Sequence, residues 1–221
     1  MSDPRLARLA HLLTHHCIAL EGGDRVLVEA PFVAEPLTLA LVAEILEAGA
    51  NPHVLAYPDR YWGVYLRHAK EPQLAFTPTF EMFAYTTFEA RVLVYASVNT
   101  RSGSRADPRA NSLVDEAWAP IVKAQFEREA AGRFKRVTTM YPTHAYAQDT
   151  RMGIEEFEEL VYRACHVNEP GDDPVAYWTQ MSRDNDARSL LLEGHRKARL
   201  RSADCDLEFS LEGRRFLSAG G

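Results

Sequence analysis

Apolar residues change their spacing several times along the first sixty residues, and each change predicts a new element. Apolar positions at helical spacing from Leu6 to Leu20 predict an amphipathic first helix. The short apolar run Arg25–Ala30 predicts a buried strand, Ala34–Ala48 a second helix, and His53–Tyr57 a second strand. The predicted buried stripe of the first helix consists of Leu6, Leu9, Leu13, Cys17 and Leu20.

A strand, a helix and a second strand within about thirty residues form a βαβ unit, whose crossover makes the two strands parallel. The same alternation continues to about residue 165, so we expect an α/β fold: a three-layer domain with a parallel sheet of about four or five strands sandwiched by helices. Further helices are predicted over Arg60–Lys70, Pro78–Phe88 and Ser112–Ala131, and further strands over Ala90–Ser97 and Phe134–Pro142.

The pattern changes again towards the end of the chain. A helix is predicted from Asp173 to about Glu193, because Asp-Pro is a helix start signal. Beyond it, apolar and polar residues alternate around a tight Glu212-Gly213 turn, which predicts a β-hairpin with Phe216 and Leu217 after the turn. We therefore expect residues 1–198 to form an amino-terminal α/β domain and residues 199–221 to begin a second, truncated domain.

Composition and charge restrict the function. A net charge of −6 and the lack of a basic patch argue against nucleic acid or an anionic membrane as a partner. The three cysteines are far apart and form no CxxC pair, and the first residues resemble neither a signal peptide nor a membrane span. These features favour a reduced, cytoplasmic setting.

Two groups of residues are candidates for binding. The polar loop Asn99–Arg105 follows a predicted strand and carries serines and arginines, so it could bind phosphate or carboxylate, although a solvated loop is the more common case. His11 and His15 are spaced as metal ligands on one helix, but no carboxylate partner is evident, and a solvated helix face is the favoured interpretation. Adjacent Cys165 and His166 point in different directions on a helix, so a buried cysteine is favoured over a thiolate pair.

The stretch Pro142–Cys165 combines a polar loop with a helix rich in glutamate. Its loop carries His144, Tyr146, Gln148 and Asp149. The glutamates of its helix, Glu155, Glu156, Glu158 and Glu159, are predicted to lie on the outer face and to complement the helix dipole. The predicted core stripe of this helix consists of Ile154, Phe157, Leu160, Val161 and Ala164.

The same stretch, "YPTHAYAQDTRMGIEEFEELVYRAC", resembles the signature PTxAxAQxAxMSxEEYExFVxxAC of the thermophilic metalloaminopeptidases, the family of aminopeptidases T and S. The resemblance extends over nearly the whole chain in the family's order. It includes the stretches Ala19–Ala30, Ala34–Val54, Asn99–Ala110, Asp173–Gly194 and Asp204–Gly221.

The resemblance implies a homodimeric, cytoplasmic hydrolase that removes N-terminal residues from peptides with two divalent metal ions, such as zinc, cobalt or magnesium. It also implies that the metal ligands and a catalytic tyrosine lie downstream of the "EGRRF" segment, beyond Gly221. We therefore expect no catalytic and no metal-binding residue in this chain, an unidentified substrate-binding site, and no activity of the chain alone. The alternative is a non-enzymatic binding or dimerisation module, and a ligand over Asn99–Arg105 would indicate a small-molecule-binding domain.

Overall fold

The computed structural model describes residues 3–104 and 107–214 of the chain. It divides into two compact units, Met1–Asp172 and Asp173–Gly221. No helix in the described residues is long and apolar enough to cross a membrane. In the sequence, these two units meet after Asp172, before the predicted helix that starts at Asp173. The domain boundary predicted after residue 198 is a different division and stays a prediction.

The first unit contains a four-stranded parallel sheet, which confirms the predicted α/β fold class. Its strands are β1 (Arg25–Pro31), β2 (Asn51–Tyr57), β3 (Ala90–Tyr95) and β4 (Lys135–Met140), in the order β2-β1-β3-β4. In register, Val28 of β1 lies beside Val54 of β2 and Val92 of β3. β1 is buried along almost its whole length, as a central strand covered on both faces should be.

Within the described part of this unit, eight α-helices connect and flank the strands. The two shortest, α4 and α7, were not predicted, because four to six residues are too few to show a helical period. The helices are α1 (Pro4–Leu12), α2 (Glu35–Glu47), α3 (Tyr61–His68), α4 (Glu71–Leu74), α5 (Thr79–Thr87), α6 (Pro108–Ala130), α7 (His144–Asp149) and α8 (Ile154–Ala164).

The first helix departs from the predicted stripe at its end. α1 continues into a π-helical turn, Leu13–Cys17, in which the Ile18 amide donates to the Leu13 carbonyl at 3.1 Å. A π turn contains one residue more than an α turn, so the buried face shifts by one position. Ile18 is buried in place of Cys17, which is exposed, and the prediction of a buried Cys17 is wrong.

The helix α6 begins four residues before the predicted start. The Asp107 side chain accepts a hydrogen bond from the Arg109 amide at 2.9 Å, and Pro108 occupies the first helical position. An Asp cap followed by proline is a strong start signal, and it ends the preceding loop earlier than the sequence pattern indicated.

A polar cluster lies within the core of the first unit. The Arg91 guanidinium forms an ion pair with the Glu29 carboxylate; Glu29 is buried, and the Arg91 side chain is only 12% exposed. The Tyr85 hydroxyl donates to the same carboxylate at 3.2 Å, and the Arg91 guanidinium lies 4.9 Å from the Tyr85 ring centre. Burial and the Glu29 charge raise the pKa of Tyr85, so its phenol remains a donor.

The second unit contains a helix and a hairpin in the residues that the structure describes, which end at 214. The helix α9 (Pro174–Leu192) is followed by the antiparallel strands β5 (Lys197–Arg201) and β6 (Asp206–Ser210). The turn between them is closed by the Ser202 amide, which donates to the Cys205 carbonyl at 2.8 Å. The sequence pattern had paired β6 with a strand after Gly213, but Phe216 and Leu217 lie outside the described residues.

Candidate functional site

A cleft opens where the parallel strands end. The carboxyl ends of parallel strands share one edge of the sheet, which is where ligands bind in such folds. Three segments border the cleft: α3 with the two residues before it, the loop after β3, and α7 after β4. Its volume is about 980 Å³, and its side chains are mostly polar.

The loop after β3 is held by its own polar side chains. The Asn99 carboxamide oxygen accepts from the Arg101 amide at 3.0 Å, and the Ser97 hydroxyl accepts from the Asn99 amide at 3.1 Å. Such Asx-type bonds fix a loop without helix or strand. The predicted binding loop Asn99–Arg105 therefore borders the cleft through its residues up to Ser102, while Arg105 lies outside the described residues.

The predicted loop after β4 is a short helix instead. Thr143 accepts a hydrogen bond from the Tyr146 amide at 3.4 Å, which caps α7, and its own hydroxyl donates to the Ser97 carbonyl at 2.7 Å. One residue thus starts the helix and ties it to the end of β3. The prediction of an irregular loop is wrong because this threonine cap begins a helix directly after the strand.

The helix α7 directs the four polar residues of the predicted loop to different surroundings. Gln148 and Asp149 border the cleft, and a guanidinium nitrogen of Arg101 lies 3.4 Å from an Asp149 carboxylate oxygen. Tyr146 instead faces Phe157 of α8, with ring centres 6.5 Å apart. His144 is exposed and does not border the cleft, so the helix separates residues that the sequence places side by side.

Charge in the cleft is mixed, with one excess positive charge. Arg60, Arg67 and Arg101 border it, against Asp59 and Asp149. Arg60 and Arg67 are exposed, and among the described residues neither has an ion-pair partner within 4.0 Å, whereas Arg101 pairs with Asp149. This arrangement suits a carboxylate or phosphate, which arginine binds through two parallel hydrogen bonds.

The described residues that border the cleft include no histidine, cysteine or glutamate, and their acidic groups are Asp59 and Asp149. A nucleophile or general base would need such a partner within hydrogen-bond distance. The arginines of the cleft are groups that can bind an anionic ligand.

The glutamates of α8 differ in their surroundings. Glu155 and Glu156 are exposed in the first turn, as predicted. Glu158 does not lie on the outer face: its carboxylate is 3.1 Å from the Arg5 guanidinium, which also lies over the Tyr162 ring at 4.5 Å. Tyr162 is buried while Leu160 and Ala164 of the predicted stripe are exposed, because this contact with α1 rotates the buried face.

The neighbouring Cys165 is half-buried at the end of α8. Burial raises the pKa of its thiol, which disfavours the reactive thiolate. The three cysteines form no disulfide. The interpretation of Cys165 as a structural residue is therefore supported by its surroundings.

One group of described residues has the composition of a metal site. It consists of His11, His15 and Glu44, and it is the only such group of three within the described ranges. It does not fit the pair of divalent ions implied by the family resemblance, because two ions held 3.5–4 Å apart need bridging carboxylates and more ligands. We therefore derive no catalytic step through a metal in this chain.

Comparisons with known proteins agree with the fold. The family model described as thermophilic metalloprotease (M29) matches residues 2–221. Among curated proteins, no sequence matches this chain. A solved structure, wild-type AmpT from Thermus thermophilus, superposes with a TM-score of 0.75 at 20% sequence identity, over 94% of this chain and 53% of the AmpT chain. The chain thus spans about half the length of that relative, and by the match over nearly all its residues it belongs to the thermophilic metalloprotease (M29) family.

Proposed function

We propose that this chain corresponds to the amino-terminal part of a metal-dependent aminopeptidase, and that its cleft forms part of the wall of the substrate chamber. The family match and the resemblance of the Pro142–Cys165 stretch to aminopeptidases T and S support the reaction class. The cytoplasmic, homodimeric state of the complete enzyme belongs to the same proposal.

The observation that carries the proposal is an arginine-rich cleft without catalytic partners. Arg60 and Arg67 can bind the carboxylate of a short peptide by charge-assisted hydrogen bonds. Asp59 on the same wall can accept from peptide amides. The chain's own contribution is then to hold and orient the peptide, which lowers the entropic cost of reaction at a centre that other residues supply.

Hydrolysis itself requires groups that the described residues do not bring together. A metal pair would polarise the peptide carbonyl and lower the pKa of the attacking water. The described residues offer one three-ligand group and no ligand set for two ions. We therefore expect the isolated chain to bind peptides without cleaving them.

The experiment measures binding and cleavage on the purified chain. We expect Leu-Gly-Gly to bind about tenfold more tightly than its C-terminal amide, a difference of about 1.4 kcal/mol, and leucine p-nitroanilide to stay intact with zinc, cobalt or magnesium. Arg67→Gln should remove the preference for the free carboxylate. Arg163→Gln is the matched control, because Arg163 is an exposed arginine on α8, paired with Glu159 and away from the cleft.

Two results would contradict the proposal. Release of nitroaniline that a chelator abolishes would mean that this chain contains the catalytic centre. Equal binding of acid and amide would remove the peptide-binding role. Binding of inorganic phosphate in place of peptide, lost in Arg67→Gln, would favour the alternative of a small-molecule-binding, non-enzymatic module.

A further inference from the structure

Two histidines and a glutamate converge on one surface point of the first unit. The His11 Nδ1 atom lies 2.8 Å from Glu44 Oε1, and the His15 Nε2 atom lies 2.8 Å from the same oxygen. The two imidazole ring centres are 4.3 Å apart. All three ligand atoms thus lie within 4.8 Å of one another.

The fold fixes the positions from which these side chains extend. Leu9 and Leu12 of α1 are buried, as are Leu41 and Ile45 of α2, and the two helices pack together. Glu44 lies between Leu41 and Ile45 in the sequence, and its side chain is only 15% exposed. The backbones therefore have little freedom to separate the three groups.

The imidazoles remain open to solvent and can adjust. The side chains of His11 and His15 are 50% and 38% exposed. Ligand atoms of a tetrahedral zinc ion lie about 3.3 Å apart, since each bond is about 2.0–2.1 Å. The two distances of 2.8 Å from the imidazole nitrogens to Glu44 Oε1 would have to lengthen by about half an ångström to reach that spacing, and the exposed rings have room to rotate.

We propose that His11, His15 and Glu44 bind one divalent ion of the zinc class. Two imidazoles and a carboxylate match the ligands that zinc prefers, whereas magnesium prefers oxygen ligands. Solvent can fill the fourth position, because the group lies at the surface. A bound ion would tie α1 to α2 and stabilise their contact.

The competing arrangement is a hydrogen-bonded trio without an ion, in which the Glu44 oxygen accepts from both rings. The two arrangements differ in their affinity for the metal alone. Zinc binding that stabilises the folded chain is expected only from the first, because an ion that binds the native state raises its melting temperature.

The experiment is a zinc titration of the full 221-residue chain, prepared without a polyhistidine tag. We expect one zinc ion per chain and a higher melting temperature with zinc, both unaffected by excess magnesium. His15→Ala and Glu44→Gln should each weaken zinc binding at least about tenfold. Cobalt in place of zinc should give the visible absorption of a four-coordinate site, and His15→Ala should abolish it.

The matched control is His68→Ala, which removes an exposed histidine of α3 outside the group and should leave zinc binding unchanged. Circular dichroism establishes whether each variant is folded. If His15→Ala does not fold, His11→Ala is measured in its place. The proposal is overturned if the chain binds no zinc, if His15→Ala and Glu44→Gln bind it as tightly as the unchanged chain, or if magnesium displaces it.

Discussion

The parallel sheet of the first unit and the hairpin of the second differ in how much of their side chains is buried. In β3, Val92 and Val94 are fully buried, whereas all five residues of β6 are exposed. The hairpin has an apolar face, on which Leu200 pairs with Leu207, but these leucines are 58% and 50% exposed. Burial stabilises the sheet, while the hairpin depends on its ladder and on surface charges.

The surface charges of the hairpin are arranged diagonally across its two strands. The Lys197 ammonium lies 2.7 Å from a Glu208 carboxylate oxygen, and Arg199 pairs with Asp206 at 2.5 Å. Exposed pairs of this kind contribute little, because water screens them and both side chains lose freedom. A two-stranded ribbon with an uncovered apolar face is marginal in water. We therefore expect the two regions to differ strongly in local stability.

Hydrogen exchange should show the largest difference. In a dilute monomer, we expect the amides of β6 to exchange at least about a thousandfold faster than those of Val92 and Val94, because exposed strands open locally and buried ones only with the whole fold. Mass spectrometry of peptic fragments measures both. The control is the edge strand β2, which is largely exposed but belongs to the sheet.

Exchange in β2 close to that of β3 would mean that membership of the sheet, not side-chain exposure, protects a strand. Equal protection of β6 and β3 in the monomer would contradict the comparison. Protection of β6 that rises with concentration would indicate self-association through its apolar face.

The buried ion pair of the sheet should give the second largest effect. Arg91→Met leaves the Glu29 carboxylate buried with only the Tyr85 hydroxyl as donor, and we expect the free energy of unfolding to fall by about 3 kcal/mol or more. Urea denaturation followed by tryptophan fluorescence suits the measurement, because the Trp118 ring centre lies 6.5 Å from that of Tyr85.

Two further variants separate the ion pair from simple loss of packing. Combining Arg91→Met with Glu29→Leu removes the uncompensated charge and should recover most of the lost stability. Lys197→Met breaks an exposed pair in the hairpin and should leave the unfolding transition unchanged. A double variant as unstable as Arg91→Met alone would show that packing, and not charge, decides the effect.

Local patterns in the sequence predicted the sheet well and its connections less well. Strands such as β1 and β3 are short apolar runs, which predict buried strands, so their positions were predicted within a few residues. The helix α7 was missed because its six residues are too few to show a helical period. The strand β5 was missed in part because most of its residues are polar and exposed.

The candidate sites depend on contacts between distant parts of the chain. The sequence indicated the Asn99 loop and the residues around Gln148 separately, and only the sheet order brings them to one cleft. His11 and His15 have the spacing of metal ligands, but the sequence showed no carboxylate partner and a solvated helix face was favoured, because Glu44 is 33 residues further along from His11. Its position follows from the packing of α2 on α1, which periodicity alone does not determine.

The smallest effect concerns a partly exposed pair at the start of β1. The Arg25 guanidinium donates to Glu89 at 2.5 and 3.0 Å, and the Arg25 amide donates at 2.8 Å. These bonds lower the pKa of Glu89 to about 2. Because the Glu89 side chain is 35% exposed, solvent screening reduces the expected contribution to about 1 kcal/mol.

The contribution of Glu89 should depend on pH with a definite sign. Its folded pKa lies below the ordinary value near 4.5, so the stabilisation is complete at neutral pH and declines as the pH falls towards about 2. Urea unfolding of Glu89→Gln should therefore show a deficit of about 1 kcal/mol at pH 7 that shrinks between about pH 5 and pH 2. Asp206→Asn is the control, since Arg199 also lowers the pKa of Asp206, but at the surface of the hairpin. If the deficit of Glu89→Gln is constant with pH, hydrogen bonding alone explains the effect. If Asp206→Asn shows an equal deficit, the ion pair at the start of β1 stabilises the fold no more than the exposed pair of the hairpin.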